Sequence, residues 1–196
     1  MISSLLLAAG LSHRYGGEKL EALIKRKRLI DWAIDHLWAS VIDEVIIVVN
    51  RETAGLISRR LLSDRVRKVV NPHPPHGMAS SILCGLELCN PKSGAVLIAH
   101  ADMPAVRTDI LNRLASQWEQ APNHIVAPRF KGQQGNPVII PRIFWEEIRA
   151  LRGDVGCKSI LNRHPDQIEW VDIDDEAVLL DIDFVEDLER LRARWD

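Results

Sequence analysis

Short apolar runs, separated by segments with helical spacing, organise this chain. Ile2 to Ala9 is apolar almost throughout, Val45 to Val49 reads VIIVV, Val66 to Val70 is a weaker run, and Ala95 to Ala99 reads AVLIA. Unbroken runs of this length are what strands buried on both faces show. Between them, Leu20 to Ala39, Thr53 to Leu62 and Met78 to Cys89 have helical length and spacing. Pro72, Pro74 and Pro75 separate the third strand from the next helix and predict a rigid loop. Further on come a helix near Arg107 to Gln120, a strand near His124 to Ala127, the loop RFKGQQGN and the strand PVII. Ile143 to Leu151 and Val155 to Leu161 read as helices, Ile168 to Ile173 as a strand and Phe184 to Arg194 as a closing helix. This alternation predicts an α/β fold with a mostly parallel sheet and helices on both faces. No repeat, low-complexity tract or linker interrupts it, so one domain over residues 1–196 is expected.

Composition narrows the classes. The chain has 196 residues, 46% hydrophobic and 27% charged, with a formal net charge of −2, so disorder is not the default and no basic field draws nucleic acid. The one basic cluster, Lys25 to Arg28, reads as a solvated turn. Cys84, Cys89 and Cys157 form neither a metal-type pair nor an even disulfide set, and read as reduced, small packing residues. Trp32, Trp38 and Trp145 fall in amphipathic helices, where core packing is expected. No basic segment precedes the opening apolar run, and no run reaches the roughly twenty residues that span a bilayer. A cytoplasmic chain without a membrane partner is expected.

Candidate chemistry begins where the first strand stops. LLLAAGLSHRYGGEK ends a buried run at Ala8, Ala9 and Gly10, then supplies Ser12, Arg14, Gly16, Gly17 and Lys19. A glycine-rich turn after a strand presents backbone N–H groups to an anion, and the two cations add charge. Neither the Walker A spacing nor the dinucleotide fingerprint is present. From the residues alone the loop means a phosphate or similar anion, or else a structural turn with solvated cations. VLIAHADMP ends a second buried strand in Asp102. That carboxylate would lie at the same sheet edge, where it could hold a hard cation or cap the next helix. Asp181 and Asp183, two apart in DIDFVEDL, point to one side if the segment is extended. Asp183 also fits an N-cap, with Glu186 as its capping-box partner. GMASSILCGL opens a helix with Gly77 and carries Ser80 and Ser81 in its first turn, with Asn71 upstream. Free N–H groups and hydroxyls there suit a base edge or phosphate, and equally suit ordinary helix capping. GQQGNP and RGDVGCKS are polar turns, the latter also consistent with a helix cap. His73, His76 and His100 lie near these segments without zinc-like spacing.

Taken in order, these segments resemble a known family. LAAGLSHRYGGEK is similar to the opening L-A-[AG]-G-x-S-x-R-[MF]-G-x-x-K signature of the nucleotidyltransferases that act on molybdopterin. NPHPPHGMASSILCGL, AHADMPAV, QGNPVII with LRGDVGCKS, and LLDIDFVEDLERL resemble its later segments, over nearly the whole chain. The nearest relatives by this resemblance are molybdenum cofactor cytidylyltransferases. The resemblance implies a Rossmann-like, three-layer nucleotidyltransferase (GT-A-like) fold. It also implies transfer of CMP from CTP, or of a nucleotide from another NTP, to the phosphate of molybdopterin or the molybdenum cofactor, with release of pyrophosphate and Mg²⁺ as cofactor. Arg14, Lys19 and Asp102 would be catalytic. Leu7, Ala8, Ala9, Gly10, Ser12, Arg14, Lys19, Asn71, Gly77, Ser80 and Ser81 would bind the nucleotide. Gly135, Asn136, Asp154 and Lys158 would bind the acceptor, and Asp102 with Asp183 the metal, although the sequence leaves Asp181 open in that role. Ala9 stands where the family carries Ala with CTP and Gly with GTP. A transient contact with a molybdoenzyme or its chaperone would follow. Tyr15, Glu18 and Phe184 depart from the family pattern. These departures keep open a non-catalytic nucleotide- or cofactor-binding module; another phosphorylated acceptor such as a sugar phosphate, and GTP-dependent guanylyl transfer, stay open as well.

Overall fold

The computed structural model describes residues 1–10, 15 and 18–195. Its centre is a strand, β1 (Ile2–Ala8), in which only Leu7 escapes full burial. β1 pairs in parallel with β4 (Glu44–Val49) on one side and β6 (Ala95–His100) on the other. β5 (Val66–Val70) extends the sheet beyond β4. On the other flank β9 (Val138–Pro141) inserts antiparallel between β6 and β7 (Ile125–Phe130). β10 (Ile168–Asp172) runs parallel to β7 at the edge, and the two-residue β8 (Gln133–Gln134) folds back on β7. The order is β10-β7-β9-β6-β1-β4-β5.

Two apolar layers cover the sheet. On one face lie α1 (Leu29–Ala39), α3 (Thr108–Gln120) and α6 (Val185–Trp195), packed through Leu29, Ile34, Leu114, Trp118 and Leu188. On the other lie α2 (Met78–Leu86), α4 (Trp145–Arg149) and α5 (Lys158–Arg163), through Ile82, Leu86, Trp145, Ile148 and Ile160. This is the expected three-layer α/β arrangement. Among the described residues no helix is long and apolar enough to cross a membrane.

The chain leaves β1 towards β4 and β5, then returns on β1's other side as β6. The sheet therefore reverses direction at the carboxyl ends of β1 and β6, and a crevice opens there. Three expectations fail at the periphery. Leu20 to Ala39 is not one helix. It begins with a 3₁₀ turn, Lys19–Glu21, and a hairpin of β2 (Leu23–Ile24) and β3 (Lys27–Arg28) precedes α1. Lys25 and Arg26 both take positive φ, which is the turn a two-residue hairpin needs, and stand in solvent as expected of Lys25 to Arg28, whereas Lys27 and Arg28 are half-buried and paired with Asp35 and Asp31. Thr53 to Leu62 forms only two 3₁₀ turns, Thr53–Leu56 and Arg59–Leu61, because Gly55 and Ser58 interrupt a run with little apolar surface to bury. Trp38 is 48% exposed and lies against the Arg65 guanidinium, not in the core. The helices expected over Met78 to Cys89 and Ile143 to Leu151 are shorter, at Met78–Leu86 and Trp145–Arg149, and that over Val155 to Leu161 is displaced to Lys158–Arg163, while those near Arg107 to Gln120 and Phe184 to Arg194 form within a residue of the expected ends. RFKGQQGN is a hairpin as well as a loop, turning at Lys131 and Gly132, both with positive φ.

Leu6 lies at the middle of β1 with no exposed surface. Leu6→Ala is expected to lower unfolding stability by about 2–5 kcal/mol, read as a shift of the urea midpoint with unchanged slope.

Candidate active site

The carboxyl end of β1 is held from behind by its neighbour. Asn50, at the end of β4, donates its side-chain amide to the carbonyl of Ala9 at 3.3 Å, and the Thr53 hydroxyl donates to that of Ala8 at 2.8 Å. These bonds tie the strand end at Ala8 and Ala9 just where the candidate phosphate loop begins. Sequence reasoning did not single out Asn50 or Thr53, although a polar residue directly after VIIVV was a usable signal. Ser12, Arg14, Gly16 and Gly17 lie outside the described residues.

Lys19 follows this loop and is 9% exposed. Its ammonium donates to Asp102 Oδ2 at 2.7 Å and to Asp183 Oδ1 at 3.2 Å. Burial pulls the Lys19 pKa down, but the two carboxylates outweigh it and hold the group above its ordinary value. Asp102 stands just past β6. Asp183 reaches it because the Ile182 N–H donates to the Asp102 carbonyl at 3.0 Å, with the Ile182 side chain sunk in the core. Asp181 and Asp183 thus flank one anchored residue. Burial, then the charges of Asp102 and Asp183, push the Asp181 carboxyl above its usual range. Asp183, rather than Asp181, makes the ion pair to Lys19. The capping-box reading shifts by one residue. α6 begins at Val185, and it is Asp187, not Glu186, whose carboxylate accepts the N–H groups of Asp183 (3.1 Å) and Phe184 (2.9 Å).

Two cavities meet at this ion pair. One, of about 400 Å³, is edged by Leu7, Ala8, Ala9, Gly10, Gly77 and Ser81. The other, of about 640 Å³, carries Gln134, Gly135, Asn136, Asp154, Lys158 and Asp181. Both include Gly10, Lys19, Met78, His100, Asp102 and Asp154. Of the residues expected on the nucleotide side, Leu7, Ala8, Ala9, Gly77 and Ser81 line only the smaller space, and of those expected on the acceptor side Gly135, Asn136 and Lys158 line only the larger, while Gly10, Lys19 and Asp154 line both. His100, Gln134 and Met78 are lining residues without an assigned role in the sequence reading. Asn71 and Ser80 are not brought into the lining. Buried Asn71 donates to both Ser80 Oγ (2.8 Å) and Ser81 Oγ (3.0 Å) and accepts the His73 N–H at 2.8 Å. These bonds shape the proline turn, and only Ser81 of the three faces a cavity.

The N–H groups opening α2 are not free, contrary to expectation. Met78 N–H donates to Asp154 Oδ1 at 3.3 Å, Ala79 N–H to the Gly153 carbonyl at 3.1 Å and Ser80 N–H to the Gly77 carbonyl at 3.1 Å. The Gly153–Asp154 turn is thus strapped to the N-terminus of α2. Gly77 makes the strap fit, since at φ +82° a Cβ would come within 2.5 Å of the Gly153 and Asp154 backbone. Gly135 is constrained in the same way: a Cβ there would meet the Val178 carbonyl at 2.5 Å, while the Asn136 N–H donates to that same oxygen at 2.8 Å.

Chemically, the junction offers charge and positioning. Cys157 lines the larger cavity, but burial pushes its thiol up to about 12, so it packs as an apolar group and is no nucleophile at neutral pH. Among the described residues no group of three or more His, Cys, Asp or Glu is assembled to hold a metal. Asp102 and Asp183 nevertheless already converge on one cation, the Lys19 ammonium. Two hard carboxylates fit a divalent ion that completes its shell with phosphate oxygens and water.

This fold, with two adjoining cavities at the sheet's reversal point, is that of a nucleotidyltransferase. The chain belongs to the family of the MobA-like NTP transferase domain, whose model matches residues 4–168. It is 28% identical over 134 residues to a probable molybdenum cofactor guanylyltransferase of Thermococcus kodakarensis, a match covering 68% of this chain and 62% of that protein. It is 25% identical over 162 residues to the purine catabolism protein PucB of Bacillus subtilis, covering 79% and 78%. Among solved structures, the manganese complex of Rv0371C from Mycobacterium tuberculosis superposes with a TM-score of 0.80 at 22% identity, covering 98% of each chain. A nucleotidyl transferase from Methanothermobacter thermautotroptrophicus superposes at 0.83 with 19% identity, covering 100% of this chain and 97% of its own. These two likenesses establish the fold.

Gly77→Ala is expected to dislodge the Gly153–Asp154 strap. It should cost about 1–3 kcal/mol of stability by urea denaturation, through strain at the positive φ and the backbone clash. Cys157 should resist alkylation in the native protein at pH 8 and react on unfolding, as mass spectrometry would show.

Proposed function

We propose that this protein transfers a nucleoside monophosphate, CMP from CTP, to the phosphate of molybdopterin or the molybdenum cofactor. The observation that supports this reading is the meeting of two cavities at Lys19 and Asp102. One space takes the nucleotide and the other the acceptor, so their phosphates come together beside a buried cation and two carboxylates. A phosphate oxygen of the acceptor attacks the α-phosphorus in line. The bond from the α-phosphorus to the bridging oxygen of the β-phosphate breaks, and pyrophosphate leaves with that electron pair. Positioning and charge neutralisation are what such a step needs from the protein.

Backbone from Leu7 to Gly10, with Gly77 and Ser81, would seat the nucleotide, and Asn71 and Ser80 would act behind them by holding Ser81 and the proline turn. Lys19 and Arg14 would carry the charge of the β- and γ-phosphates and then of departing pyrophosphate. Gly135, Asn136, Asp154 and Lys158 would orient the acceptor, the amide and carboxylate towards a hydrogen-bonding heterocycle and Lys158 towards its phosphate tail. Asp102 and Asp183 would hold Mg²⁺. When bound, the metal supplies Lewis-acid polarisation and charge neutralisation at the phosphate oxygens. The manganese held by the structurally similar mycobacterial protein supports a divalent ion in this fold. Ala9 supports CTP. The Thermococcus relative is a probable guanylyltransferase, which makes GTP the competing nucleotide to test.

The decisive experiment is pyrophosphate release with molybdopterin or its metal-loaded form, Mg²⁺, and CTP, GTP or ATP in parallel. Release with CTP alone is expected. Release with GTP alone would reassign the nucleotide, and none with any of the three would reject this acceptor. Lys19→Ala and Asp102→Ala should each cut turnover by about 100-fold or more while circular dichroism stays native. Full activity in either variant would remove that residue from the chemistry.

A further inference from the structure

Lys19 occupies the position that a metal on Asp102 and Asp183 would need. Its ammonium is 2.7 Å from Asp102 Oδ2 and 3.2 Å from Asp183 Oδ1. A divalent ion of the Mg²⁺ type sits about 2.0–2.1 Å from its oxygen ligands. Placed on these same two oxygens, it would lie within a few ångströms of the ammonium, in a partly desolvated site where like charges repel strongly. The carboxylates cannot serve both cations at full strength. No third His, Cys, Asp or Glu among the described residues joins them to tip the balance towards a metal.

The ammonium has somewhere else to go. Lys19 lines the smaller cavity as well as the larger one, beside Ala8, Ala9 and Gly10. Its flexible four-carbon stem lets the charge swing without moving the backbone. A triphosphate in the smaller cavity would draw the ammonium off the two carboxylates and open its place to a divalent ion.

We propose that Lys19 is a built-in competitor for the divalent ion, holding Asp102 and Asp183 in the empty protein and moving to phosphate when nucleotide binds, so that metal and nucleotide enter as a pair. This rests on the nucleotidyltransferase reading above. By linkage, each strengthens the binding of the other by the same factor.

Mn²⁺ is the probe, its free concentration read by electron paramagnetic resonance, with no acceptor present so that nothing is transferred. The wild-type protein should bind Mn²⁺ weakly alone, and about tenfold or more tightly with saturating CTP or GTP once the Mn²⁺ held by nucleotide in a protein-free control is subtracted. Lys19→Met should bind Mn²⁺ alone about tenfold or more tightly than wild type and gain little from nucleotide. Lys19→Arg keeps the charge and should remain weak. Adding Asp102→Asn to Lys19→Met should remove the tight binding, which would place the ion on these carboxylates. If Lys19→Met binds Mn²⁺ no better than wild type, or if neither nucleotide strengthens wild-type binding, the proposal falls. Should Lys19→Met not fold by circular dichroism, the wild-type nucleotide dependence and Lys19→Gln decide. Failure of the transfer reading looks different: Mn²⁺ and nucleotide would still bind as a pair while no acceptor yields pyrophosphate.

Discussion

The burial of β1 between two parallel neighbours is the constraint on which the rest of the molecule depends. A strand paired on both edges and covered on both faces has no freedom at its middle, so its position sets the position of its carboxyl end. Its two neighbours are reached by connections that run in opposite directions from it, which opens the crevice at Ala9 and Gly10. Everything with candidate chemistry is then placed relative to that end. Lys19 follows β1, Asp102 ends the neighbouring strand, and the Asp102 carbonyl takes the Ile182 N–H and so fixes Asp183. A rigid centre converts residues 83 and 164 positions apart into partners of one ammonium.

The site is also divided. The strap between the α2 N-terminus and the Gly153–Asp154 turn joins one wall of the smaller cavity to one wall of the larger. Met78 and Asp154 therefore belong to both spaces. The proposed transfer between two bound phosphates would benefit from this, because a shared wall sets the distance between the spaces and leaves less of it to be ordered at the moment of reaction. The glycines at 77 and 135 follow from the same closeness, each lying where backbone of another segment leaves no space for a side chain.

Much of this was legible from local pattern. The buried strands announced themselves as unbroken apolar runs, because residues flanked by helices on both faces meet no solvent. The place of Asp102 at the sheet edge was recognisable because it sits directly after such a run, where α/β sheets expose their ligand-binding edge. The Lys25–Arg26 turn was not, because positive φ at two non-glycine residues has no signature in their side chains. Trp38 was misread because helical spacing shows that a face is apolar and not whether a partner covers it. Asn71 and Ser80 show a related difficulty. Their types suit ligand and turn alike, and only their mutual bonds assign them to the turn.

What the sequence by itself determined was the layered α/β class, the family, and a set of candidate residues for phosphate chemistry. These follow from periodicity and from motifs within short stretches of chain, where near neighbours set the physics. What only the tertiary structure decided was how those residues are shared out. It set Leu7, Ala8, Ala9, Gly77 and Ser81 around one cavity and Gly135, Asn136 and Lys158 around an adjoining one, paired Asp183 rather than Asp181 with Lys19, and closed the α2 N-terminus with a turn from far along the chain. Each depends on a hydrogen bond or close approach between distant segments, and such contacts exist only once the sheet has set the distances.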